Sequence, residues 1–139
     1  MFRNSLAVAL LAMLPGLAAA QNFTTAAEVR PILDAIRADW IAVREYEGKD
    51  LVYFTNSMSW RCGMTEIRYG LNGAAPETVL PMEPCYEGEA NPNVLKLDQG
   101  IEIYITEPLK SVQTVSVVMI LDDGTEQVAE FSRAEVLMP

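Results

Sequence analysis

The chain has 139 residues, with 10 Lys or Arg against 19 Asp or Glu, a formal net charge of −9 and no histidine. That balance repels phosphate backbones and anionic lipid head groups, which disfavours nucleic-acid and membrane-surface roles. The missing imidazole removes the commonest general base and the commonest zinc ligand, so no Ser-His-Asp or Cys-His site can be built from this chain alone.

The amino terminus reads as an export signal. Arg3 supplies a positive start, residues 6–14 are an unbroken apolar run, and Ala18-Ala19-Ala20 offers an A-x-A cleavage site before Gln21. The run is too short to span a bilayer, and Pro15-Gly16 interrupts its end. Residues 1–20 are therefore expected to be a cleaved signal peptide. Residues 21–139 are expected to form one acidic domain, periplasmic or secreted, without membrane insertion after cleavage.

Thr25-Ala26-Ala27-Glu28 has the form of a capping box, and Val29, Ile32, Leu33, Ile36 and Trp40 follow at helical spacing. One amphipathic helix is predicted. Pro31 implies that it begins later than the box or bends in its first turn. Residues 40–46 and 51–55 are rich in β-branched and aromatic side chains, and Glu47-Gly48-Lys49-Asp50 has turn composition, which predicts a hairpin.

Ile67, Tyr69 and Leu71 alternate with polar or small residues as a half-buried strand that ends at Asn72-Gly73, a strong hairpin turn signal, with residues 77–80 returning. Trp60, Cys62 and Met64 alternate in the opposite phase, so a bulge or loop near Gly63 is predicted. Residues 81–93, PMEPCYEGEANPN, read as a long irregular acidic loop. Ile101, Ile103 and Ile105 alternate as a strand, and residues 112–121 form a longer run suited to burial on both faces. Asp122-Asp123-Gly124 turns that run back into residues 125–131. With Gly124 left-handed in a three-residue turn, Val117 should pair with Ala129 and Val115 with Phe131.

Seven or eight short strands behind one N-terminal amphipathic helix point to a mainly β fold, an antiparallel immunoglobulin-like β-sandwich. An open β-barrel with a helix at one end is the alternative. Cys62 and Cys85 are the only cysteines, and export takes them to an oxidising compartment, so one disulfide is expected. Their spacing is far wider than the C-x-x-C of a redox pair.

Trp60, Arg61 and Tyr86 form the nominated partner surface, because Trp, Tyr and Arg dominate binding hot spots and Trp60-Arg61 falls where the strand phase slips. Packing of Trp60 inside the core is the competing role. Glu66 with Glu83, Glu87 or Glu89 is the carboxylate pair that a hydrolase or carbohydrate-active protein would need. Glu83, Glu87, Glu89, Asn91 and Asn93 offer the hard oxygens that calcium prefers, but in no established spacing. Neither a catalytic motif nor a cofactor is implied, and no resident metal.

Taken together, SWRCGMTEIRYGLNG, PMEPCYEGEANPN and DDGTEQVAEFSRAEVLMP resemble a small family of uncharacterised exported proteins of Gram-negative bacteria. The likeness covers nearly all of residues 21–139. It implies the compartment and the disulfide and carries no activity. The functional expectation is a non-catalytic periplasmic binding or accessory domain acting through contact with another periplasmic protein. A carboxylate-dependent hydrolase and an acidic divalent-cation-binding envelope protein are the alternatives.

Overall fold

A computed structural model describes residues 12–13 and 21–139. The expected signal peptide lies outside the described residues apart from Ala12 and Met13. No helix among the described residues is long and apolar enough to cross a membrane.

Helix α1 spans Ala26–Ala35, directly after the capping box: Thr25 Oγ1 accepts from Glu28 N at 3.3 Å, and the Glu28 carboxylate accepts from Phe23 N at 3.1 Å. Pro31 sits inside the helix rather than ahead of it. It deprives the Ala27 carbonyl of its donor, and both residues lie on the solvent side, where water can replace the lost bond. Val29 and Leu33 face the core. Trp40 lies beyond the helix, past a 3-10 turn at Arg37–Asp39. Its buried indole N–H donates to the orphan carbonyl of Leu33 at 2.8 Å and so caps the helix from below.

Two antiparallel sheets follow. Strands β1 (Ala42–Tyr46), β2 (Lys49–Tyr53) and β5 (Tyr104–Pro108) form a three-stranded sheet in the order β1-β2-β5. Strands β3 (Met64–Leu71), β4 (Thr78–Val79), β6 (Thr114–Leu121) and β7 (Glu126–Ser132) form a four-stranded sheet in the order β4-β3-β6-β7. The strands do not close into a barrel. Val43 and Val52 of one sheet share a core with Ile67, Val115, Val117, Met119 and Phe131 of the other.

The first hairpin is tighter than its composition suggested. Glu47 and Gly48 alone make the turn, both with positive φ, so Lys49 and Asp50 join the strand. Thr55 leaves it to start the short helix α2 (Thr55–Met58), and a 3-10 turn at Arg61–Gly63 then leads into β3. The predicted phase slip is that turn together with a register shift between Met64 and Glu66.

Asn72 and Gly73 have the positive φ expected of them, but the return strand is only Thr78–Val79 and pairs two residues late, Tyr69 with Thr78. The intervening chain folds over Gly70, where an added Cβ would lie 2.2 Å from the Ala74 carbonyl oxygen. The β6–β7 register is as read from the turn, with Val117 opposite Ala129 and Val115 opposite Phe131.

Two other strands differ from the reading. β5 starts at Tyr104 rather than near Ile101, the preceding residues belonging to the loop. In β6 the face carrying Val115, Val117, Met119 and Leu121 is buried, whereas on the opposite face Val118 is buried and Thr114, Ser116 and Ile120 are only half-covered. A short helix α3 (Arg133–Val136), capped by Ser132 and Glu135, follows β7. Beyond it Met138 N donates to Val43 O at 2.8 Å, which lays the C-terminal residues along the edge of β1.

Candidate functional site

The long irregular loop between β4 and β5 is held from beneath by two adjacent residues. Cys62 is disulfide-bonded to Cys85. Arg61, only 3% exposed, spreads its donors over five backbone carbonyls. Nε donates to Glu83 O at 2.8 Å and Pro84 O at 3.1 Å, Nη1 to Asn93 O at 2.7 Å and Met58 O at 3.2 Å, and Nη2 to Pro84 O and Val94 O, both at 2.8 Å. A planar guanidinium with five N–H groups can satisfy such a ring of acceptors. Burial lowers its pKa, opposed by the charges of Glu83 and Tyr86. Arg61 therefore sits inside the loop and is not part of an exposed contact surface, a correction to its nominated role.

Glu83 is a second internal tie. Its buried carboxylate accepts the Tyr86 hydroxyl and the backbone N–H groups of Lys96 at 3.0 Å and Leu97 at 3.3 Å. Burial alone would raise its pKa, but those hydrogen bonds and the Arg61 charge outweigh it and hold the carboxyl below its usual range. The same contact with Glu83 is the main cause that pushes the Tyr86 phenol up to about 12.

Asn93 is the third tie. Its Oδ1 accepts from Cys62 N at 2.8 Å, while Nδ2 donates to Phe23 O at 3.0 Å and Asn22 O at 3.2 Å. The N-terminal stretch, the 3-10 turn and the loop thereby become one assembly.

The acidic candidates are consumed in this architecture or lie apart from it. Glu83 and Asn93 have their oxygens turned inward, Glu89 pairs with Lys96 at 2.7 Å, and Glu87 is exposed. Among the described residues no group of three or more His, Cys, Asp or Glu is placed to hold a metal ion. Glu66 and Glu83 do line one cleft of about 450 Å³. Glu66 is paired with Arg68, however, and Glu83 is held ionised, the opposite of what a general acid requires.

Trp60 and Tyr86 are both half-buried, and Trp60 also packs against the core, the role that competes with its nominated one. Phe23 packs edge-on against Trp60, with ring centroids 5.2 Å apart and planes at 83°. The two rings line a cleft of about 440 Å³ with Ser59, Asn91, Asn93 and Leu95. Phe23 was not singled out from sequence; the available signal was an isolated aromatic just ahead of the helix cap. Tyr86 lies between two cations, 4.1 Å from Lys96 Nζ and 5.5 Å from the Arg61 guanidinium carbon, and its hydroxyl accepts from Gln99 at 2.8 Å.

Compared with family models, curated proteins and solved structures, the chain matches none.

Proposed function

We propose that this is an exported, non-catalytic binding or accessory domain of the bacterial periplasm, which acts by protein–protein contact at the Trp60 cleft. The observation that carries the reading is the way an aromatic pair is presented. Trp60 and Phe23 stand at the rim of a cleft whose walls are fixed by the disulfide, by Arg61 and by Asn93. A rigid, partly desolvated aromatic at a cleft is the usual form of a binding hot spot, because little ordering entropy is lost when it is covered.

The scaffold is read as an immunoglobulin-like sandwich. What supports this is the strand order: β1-β2-β5 and β4-β3-β6-β7 match a seven-strand Greek key whose fourth strand lies beside the third. Likeness to exported proteins of Gram-negative bacteria and cleavage after Ala20 belong to the same proposal.

Site-directed crosslinking in the native compartment tests it. A crosslinker beside Trp60 should return one dominant partner, and Trp60→Ala should abolish that product while the disulfide and a cooperative unfolding transition are kept, the midpoint falling only by the burial that the indole loses. Recovery of the same products from Trp60→Ala would reject the site.

A further inference from the structure

The outer face of the three-stranded sheet carries a second surface of different chemistry. Cross-strand register places Ala42, Tyr53 and Tyr104 in one row, Arg44, Leu51 and Thr106 in the next, and Tyr46, Lys49 and Pro108 in the third. Tyr53 and Tyr104 pack with centroids 5.3 Å apart, and the Arg44 guanidinium lies 4.4 Å over the Tyr46 ring. Between them Leu51, on the same outward row, is only 7% exposed, while Tyr46 is 44% exposed. The face thus presents three tyrosines around a leucine that is already covered.

Its charge is anomalous for this protein. Arg30, Arg37, Arg68, Lys96 and Arg133 each pair with a carboxylate, and Arg61 is buried against carbonyls. Among the described residues Arg44, Lys49 and Lys110 have no carboxylate within 4.0 Å, although acidic residues outnumber basic ones 19 to 10. Two of these three lie on the tyrosine face, and Lys110 follows Pro108, the cross-strand partner of Lys49, while the carboxylate beside the tyrosines, Glu102 next to Tyr104, lies at the end of the face opposite Lys49.

We infer that this face docks an acidic segment of a partner protein, its carboxylates meeting Arg44 and Lys49 and its apolar side chains covering Tyr46, Tyr53 and Tyr104. Charge complementarity decides the sign of the occupant, and geometry decides its kind. Tyr53 and Tyr104 are inclined at 60° to each other and so form no common flat platform for a sugar ring. An extended anionic membrane would meet the negative charge of the remaining surface, while a narrow peptide segment touches only the cationic patch. The surface is separate from the Trp60 cleft, and each can fail without the other.

Titration of the purified, oxidised protein with a glutamate–tyrosine random copolymer, followed by NMR, tests the inference. Saturable binding is expected, with shifts at Arg44, Tyr46, Lys49, Tyr53 and Tyr104. Affinity should fall roughly tenfold in Arg44→Glu/Lys49→Glu and binding should be lost in about 0.5 M salt. Trp60→Ala should bind as the parent does. Arg44→Gln/Lys49→Gln, which removes charge without reversing it, should weaken binding in the same direction. Absence of saturable binding, indifference to both double variants, or shifts elsewhere would overturn the inference. Tighter binding of polygalacturonate or of phosphatidylglycerol vesicles would overturn the peptide occupant in favour of a glycan or a membrane.

Discussion

Arg133 grips Asp50 with both ends of its guanidinium, Nη1 to Oδ2 at 2.6 Å and Nη2 to Oδ1 at 3.0 Å, although 83 positions separate them. Asp50 is fully buried in β2 and also accepts from Lys110 N at 3.0 Å and Val112 N at 3.1 Å. Arg133 further donates to Val112 O at 2.7 Å and to Glu45 at 2.8 Å. One ion pair thus joins β2, the β5–β6 crossover and α3.

Removing one member leaves a buried charge without its counter-charge, so Arg133→Met should cost about 3–5 kcal/mol, read as a lower midpoint in urea. Asp50→Asn/Arg133→Met should recover part of that loss, since neither buried charge then remains.

The same pair sets an acid limit. Arg133 first, then the Val112 and Lys110 N–H groups, hold the Asp50 carboxyl down to about 2 against the cost of burial. Because the folded-state pKa lies below the unfolded one, the stabilisation is complete above about pH 4 and is lost as pH falls towards about 2. Urea unfolding measured across that window should show a steeper loss in the parent than in Asp50→Asn.

Arg61→Lys should behave as a severe substitution. A lysine has three donors and no fork, so it cannot reach all five carbonyls, and those left buried without a donor cost about 1–3 kcal/mol each. Faster proteolysis within residues 81–103 and a lower urea midpoint are expected, with the Cys62–Cys85 bond intact.

Gly70→Ala places a Cβ 2.2 Å from Ala74 O and 2.5 Å from Ala75 O, both backbone atoms that cannot swing aside. A loss of about 1–3 kcal/mol is expected. Gly48→Ala meets no neighbour and bears only its positive φ of 73°, so it should lose no more than about 1–2 kcal/mol. Thermal denaturation of the two variants should keep that order.

These features were unequally legible in the sequence. Gly124 fixed the β6–β7 register because a turn of known length counts residues outward on both strands, and alternation located β3 and β6. The late return after Asn72-Gly73 could not be read, since it depends on the chain crossing Gly70 without a Cβ in the way. Arg61 looked like a surface hot spot because its partners are backbone carbonyls, which leave no mark on residue type. The tyrosine face was hidden for another reason: Tyr46, Tyr53 and Tyr104 become neighbours only once β5 is paired to β2.

The loop between β4 and β5 is made rigid from within, and Lys96 and Leu97 report on it most directly. Both belong to irregular, exposed chain, and their N–H groups are bonded to the Glu83 carboxylate. Native-state amide exchange should therefore find them strongly protected in the oxidised protein and much less so in Glu83→Gln. Exchange at the rate of an open chain in the parent protein would contradict the account.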